Sequence, residues 1–502
     1  MENNGINRIR TVVIWILLVG VGVWGIYAGA TSLSGALART LTAIADGQLN
    51  STLSGVALGV VQSLRSAILY VAIAWVVMML VGLFRRLTPV EAAAKSWFIA
   101  LSAGIIAKLI GEFVFNPSLF AEIVVGGLQK GFIYALIALG YTMVYGVVKL
   151  INFAHGDFFM VGAFVSFYTT SKFNMHHWPG SLYVNLTGAS TAPAWTLALG
   201  VLLIILSSTV ISAFLAVVVE RVAYKPLRNA PRIAALITAI GVSFFLEYFS
   251  ALNFSFGPDF VTYERPFDLV RWDTANPNTV LLFIFLGLLL ITAIAQLALW
   301  GIKKSRKGGA LPAIAENPFL NLGIRFGLMA GGAGTLYMSL TLLGVGVTNI
   351  QIIVMTASIF LLIVLQYIVS QTKIGKAMRA SAWDKPTSRL MGIDVDMVIS
   401  FTFAIGAALA GAASVLYAVA YPQLVWNMGI MPGLRAFVAA VLGGIGSIPG
   451  AFVGSLIMGQ AEELSAAYIS TPMRDAIAFT ILIIVLIIKP TGIYGEPAGE
   501  KV

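Results

Sequence analysis

The sequence predicts an all-α, polytopic membrane protein with about twelve transmembrane helices and one further broken helical pair. Three observations carry that prediction. Of the 502 residues, 59% are hydrophobic and only 10% charged, against about 25% charged in an average soluble domain. Apolar runs of about twenty residues, the length that crosses a bilayer, recur along the chain. Basic residues bunch in short connections on one side of these runs, as the positive-inside rule requires. The net charge of +10 has its source there rather than in a nucleic-acid surface.

In chain order the runs fall at 12–30, 67–84, 97–114, 121–148, 151–170, 195–219, 233–251, 279–300, 321–344, 350–370, 397–421 and 474–489. The first follows Arg8 and Arg10, is long for a signal peptide's apolar core, and reads as a retained helix with its N-terminus in the cytoplasm. That start puts Arg85, Arg86, Arg221, Lys225, Arg228, Arg232, Lys303, Lys304, Arg306 and Lys307 inside. It also puts inside the loop 372–396, with Lys373, Lys376, Arg379, Lys385 and Arg389. The aromatic-, Asn- and Pro-containing loops 171–194 and 252–278 fall outside, and an even count returns the C-terminus to the cytoplasm.

The apolar region 432–460 contains GGIGSIPG, from Gly443 to Gly450, which no straight helix carries. It reads as a re-entrant or broken pair, tolerated only inside protein or beside water. Gly443, Gly444 and Gly446 then either present unwound backbone to a pathway or permit tight helix packing.

A second polar interruption is INFAHGD. Asn152, Phe153, His155, Gly156 and Asp157 lie where two apolar segments meet, just after Lys149. In one reading Asn152 caps the next helix while His155 and Asp157 satisfy nearby backbone. In the other, a broken helix reaches a translocation path and these residues form a gate. Interrupted segments in corresponding halves of a transporter point to such a path, and INFAHGD with GGIGSIPG form such a pair. Glu247 either pairs inside the protein or stands in water at the outer end of its helix. Arg435 either faces a substrate carboxylate or anchors at the outer interface, and Glu462 and Glu463 mark an outer end.

In TKIGKAMRASAWDKPTSRLMGIDVD, residues 372–396, Asp384-Lys385-Pro386 ends one short helix and begins another. Leu390, Met391 and Ile393 are then apolar residues in a water-facing loop. The loop lies on lipid headgroups or docks into a groove on a soluble partner.

Some classes of chemistry are excluded. Without cysteine there is no disulfide, thiol nucleophile or thiolate metal site. Histidine occurs only at 155, 176 and 177 and H-E-x-x-H is missing, so no metal site is expected. No G-x-x-x-x-G-K-[ST] phosphate loop is present, and any ATP hydrolysis belongs to another chain.

YALIALGYTMVYGVVKLINFAHGDFFMVGAF (134–164) resembles the opening signature of the branched-chain amino-acid ABC transporter permeases of LivH type. VVERVAYKPLR, ALITAIGVSFFLE, GKAMRASAWDKPTSRLMGIDVD, FVAAVLGGIGSIPGAFVGSLIMGQAEELSAAYIS and PTGIYGEP agree with that family, in its order. The resemblance implies a non-enzymatic subunit in a prokaryotic cytoplasmic (inner) membrane. Its partners would be a second permease, two ATPase subunits that hold the ATP and magnesium, and an extracytoplasmic substrate-binding protein. The cargo would be a branched-chain or other apolar amino acid. Similar family members serve urea or short-chain amides, and a stand-alone secondary transporter is the alternative outside the family. Gly375, Arg379, Ala380, Leu390, Met391, Gly392 and Ile393 would couple to the ATPases. Residues 1–115 read as an N-terminal extension, 116–274 and 345–502 as the two parts of the permease core, and 275–344 as an inserted helix pair.

Overall fold

In a computed structural model of the chain, the described residues are 109, 113 and 116–495, apart from 229, 305–316, 469–470, 473 and 490. The expected runs at 12–30, 67–84 and 97–114 lie outside them, except for positions 109 and 113. Two compact units are distinguished, Met1–Phe120 and Ala121–Val502, and the elements below belong to the second, apart from the first four residues of the opening helix.

Every expected run from 121 onward holds a helix, although the run 151–170 becomes helical only at His155. The helices are α1 (Pro117–Val148), α2 (His155–Phe167), α3 (Trp178–Thr187), α4 (Ala194–Val219), α5 (Arg232–Ser250), α6 (Thr279–Lys304) and α7 (Pro318–Leu342). They continue as α8 (Asn349–Gln371), α9 (Lys373–Trp383), α10 (Lys385–Leu390), α11 (Val395–Ala420), α12 (Ile430–Gly443), α13 (Ile448–Tyr468) and α14 (Arg474–Ile488). Among the described residues six helical segments are long and apolar enough to span a membrane: α1, α4, α5, α6, α8 and α11. The fold is all-α and polytopic. α2 and α14 fall short of a span with 13 and 15 residues, and α7 is long but diluted by Asn, Arg and Gly.

The core is built by close approach of small side chains. Gly162 on α2 meets Ser212 on α4 and Gly411 and Ser414 on α11, with separations of 2.6–2.9 Å from the point where a Cβ would stand. Ser208 and Ser212, one turn apart, form a small-residue stripe on α4 that lets the backbones approach. α4, α5 and α6 turn Phe214, Ile237, Phe245, Phe283 and Leu297 outward. A water-soluble protein would bury such a surface, whereas lipid solvates it.

Two short antiparallel ladders tie the loops at one end. β1 (Val261–Thr262) pairs with β4 (Gln423–Leu424), and β2 (Arg271–Trp272) with β3 (Val347–Thr348). The second ladder brackets the α6–α7 hairpin.

Candidate functional site

α1 ends at Val148, and Lys149 adopts a left-handed backbone with φ of 62°. The chain then runs back along α1 without helix until His155. The His155 ring fills the notch at Gly140, where any Cβ would overlap it, and its Nε2 lies 3.2 Å from the carbonyl oxygen of Ile137. Tyr141 packs edge-on to the ring at 4.5 Å. Gly140 precedes Val148 by two turns, so α2 begins about 12 Å inward from the end of α1 at 1.5 Å per residue.

Asn152 does not cap α2. The N-cap is Ala154, with no side-chain cap bond. Asn152 is buried and its Oδ1 accepts a 2.7 Å hydrogen bond from the Tyr224 hydroxyl, while its Nδ2 has no partner. That long-range bond overrides the local capping preference. Asp157 is buried in the first turn of α2, where the helix dipole favours a carboxylate, and it accepts a 2.5 Å bond from Ser243. Glu247 is 5% exposed, one turn along α5 from Ser243. It therefore sits inside the protein against Asp157, rather than in water at a helix end. Phe153 is half-buried against Phe437, whereas Phe158 and Phe159 are wholly packed.

The start of α2 meets the start of α12. Gly156 and Gly429 touch backbone to backbone, and Gly433 lies 2.9 Å from Gly156 Cα measured from its own would-be Cβ. Two helix N-termini, each the positive end of a helix dipole, thus converge from different parts of the chain.

This corrects the pairing expected from sequence. The break opposite INFAHGD is the one before α12, at Met428-Gly429, and not GGIGSIPG. Its signal was Pro432, which suits a first helical turn. Gly443, Gly444 and Gly446 lie at the far end of α12, in the turn to α13. The amides of Ile493 and Tyr494 donate to the carbonyls of Leu442 and Gly443 at 3.0 and 2.8 Å. The last carbonyls of α12 are therefore satisfied by the C-terminal segment.

Arg435 is committed to protein partners. Its guanidinium donates to Asp475 at 2.9 Å and to Tyr134 and Glu462 at 3.1 Å each. Glu462 is fully buried, and Lys130 and Arg474 also approach it at 3.3 and 3.4 Å. Lys130 pairs with Glu463 as well. The cluster joins α1, α12, α13 and α14.

At the opposite end, Thr372 caps α9 and Asp384 caps α10, which opens with Lys385-Pro386. Trp383, Leu390 and Met391 project with 85%, 87% and 78% of their surface exposed. Ala380 and Gly392 are also exposed and Ile393 is half-buried. Gly375 is buried against the carbonyls of Ile368 and Val369, so it shapes the α8–α9 corner and is not a contact surface. Arg379 is exposed and its guanidinium bonds to the Val369 carbonyl. Among the described residues no group of three His, Asp or Glu side chains is placed to hold a metal ion.

The family described as branched-chain amino acid transport system / permease component matches residues 123–486, well over half the chain. The chain belongs to that permease family. The permease is 34% identical over 384 residues to the high-affinity branched-chain amino acid transport permease LivH of Salmonella typhimurium, covering 76% of this chain and 98% of that protein. Its identity to BraD of Pseudomonas aeruginosa, of the same description, is 32% over 383 residues with the same coverage. A probable LivH of Methanocaldococcus jannaschii is 33% identical over 144 residues, 27% of this chain and 45% of that one. No solved structure matches the permease. Membership makes the chain a membrane transport component rather than an enzyme.

Sequence reasoning missed one buried polar constellation of the permease. Within VVERVAYKPLR, Glu220 is fully buried, binds Arg228, and accepts a 2.6 Å bond from Ser400. Arg228 also reaches Asp396 at 2.6 Å. The only sequence cue was a lone acid, Glu220, at the end of an apolar run.

Proposed function

We propose that the chain is the membrane-spanning subunit of an ATP-driven importer for branched-chain or other apolar amino acids. It pairs with a second permease subunit, engages two ATPase subunits through α9 and α10, and receives cargo from an extracytoplasmic binding protein. The observation that carries this reading is the exposed apolar tip formed by Trp383, Leu390 and Met391. It stands beyond the spanning helices, on a chain without a phosphate loop of its own. Amphipathic docking of such a tip into a groove explains its exposure. The tip then lies on the cytoplasmic side with both termini, in the inner membrane of a prokaryote.

Transport proceeds by alternating access. ATP binding and magnesium, held by the partner subunits, draw the two α9–α10 pairs together and rock the helices around a path near the convergent starts of α2 and α12. The substrate carboxylate is attracted by those two N-termini. Mild-detergent purification from the native membrane, followed by reconstitution, tests the reading. Two co-purifying ATPases and ATP-dependent leucine uptake are expected. A chain that purifies alone and drives uptake abolished by a protonophore is a secondary transporter.

A further inference from the structure

The segment between α1 and α2, residues 149–154, is tied to the coupling side of the protein at both ends. At its start, Lys385, the first residue of α10, donates to the Val148 carbonyl at 3.1 Å. This is one of the orphan acceptors that end a helix. At its other end, Tyr224 donates to Asn152. Tyr224 closes the π turn Glu220–Tyr224 that follows α4, and π turns concentrate at functional positions. The same turn begins with Glu220, held by Arg228, which binds Asp396 at the head of α11. Asp396 in turn pairs with Arg389 on α10 at 3.3 Å. Two hydrogen-bonded routes therefore lead from the α10 helix to one non-helical link, and that link sets where α2 begins.

We propose that Tyr224 and Lys385 are positioning residues that transmit displacement of the α9–α10 pair to the 149–154 link, and through it to the start of α2. Neither touches the path. Lys385 acts on the end of α1, and Tyr224 acts through the Oδ1 of Asn152, whose Nδ2 has no partner. The phenol is buried, its ring packed against that of Phe403 at 5.5 Å between centroids and tilted by 39°. A shift of α11 therefore moves the ring bodily, and the hydroxyl carries Asn152 with it. This inference rests on the importer reading above.

The test uses the complete importer in proteoliposomes and reads amino-acid uptake per ATP hydrolysed. Tyr224→Phe deletes only the hydroxyl, and Lys385→Met keeps the stem without the donor. Each is expected to lower the ratio about 3- to 10-fold, the range one buried hydrogen bond supplies, with Lys385→Arg restoring most of it. Tyr224→Phe combined with Asn152→Ala is expected to be no worse than the poorer single variant. A wild-type ratio in both Tyr224→Phe and Lys385→Met overturns the relay and leaves the importer reading intact. Lack of ATP-driven uptake by the wild-type complex overturns that reading, and the relay with it.

Discussion

Gly156 and Gly429 occupy each other's side-chain space: a Cβ on either would overlap the carbonyl of the other. The contact fixes the convergence of α2 and α12, and neither glycine is there for a turn. Gly156→Ala and Gly429→Ala are each expected to lower stability by about 1–3 kcal/mol, as overpacking does, with uptake falling alongside. Gly323→Ala on α7 is the control, since nothing lies within 4 Å of its would-be Cβ and alanine favours a helix interior. Thermal unfolding of the detergent-purified chain separates the two classes. Equal melting of Gly156→Ala and Gly323→Ala would contradict the backbone contact.

Glu462 gathers Lys130, Arg435 and Arg474 around one buried carboxylate. Removing one partner from a buried set costs about 3–5 kcal/mol, because the remaining charges stay desolvated. Glu462→Gln is expected to melt well below wild type. Glu122→Gln, which breaks a half-exposed pair with Arg271, is expected to cost under about 1 kcal/mol. The comparison of melting temperatures is the measurement, and a reversed order would refute the assignment.

For docking, the informative positions are those that touch nothing. Leu390→Arg and Met391→Arg leave the fold within about 0.5 kcal/mol, as exposed substitutions do, and are expected to abolish co-purification of the ATPases. Gly392→Trp is a poorer probe, because Gly392 has φ of +81° and a side chain there is strained whatever it binds. Retained ATPase in both arginine variants would remove α10 from the interface.

Lys385 lies outside the spanning helices. Burial, and then Arg228, Lys149 and Arg389, hold its ammonium below the ordinary lysine value of 10.5. In the window between the folded value and 10.5 the unfolded chain binds more protons than the folded one, so this residue's contribution to stability rises with pH. Wild type should therefore gain stability relative to Lys385→Met as the pH is raised from neutrality toward 10.5. A flat difference would show that the lysine is solvated like any other.

Much of the fold was legible because it follows from local rules. Runs such as 195–219 and 350–370 are apolar for a helix's whole length, and Asp384-Lys385-Pro386 carries its own stop and start. The site was less so. Asn152 reads as a cap until Tyr224 arrives from 72 positions away. GGIGSIPG reads as an open break until Ile493 and Tyr494 bond to the carbonyls of Leu442 and Gly443 at its start. Glu462 reads only as the mark of an outer end until three cations from three different elements reach it. In each case the deciding partner is distant in sequence, and neither composition nor periodicity records it.

The ladder between β2 and β3 places Trp272 directly opposite Val347. Antiparallel partners stand about 4.5–5.5 Å apart at Cα, a gap that a two-residue turn closes. Everything from 273 to 346, the α6–α7 hairpin included, thus leaves and rejoins the chain at a single doorway. Such a cassette can be excised or exchanged genetically without rerouting any other helix. Its removal would uncover the α7-facing side of α8 and leave the meeting of α2 and α12 where it is.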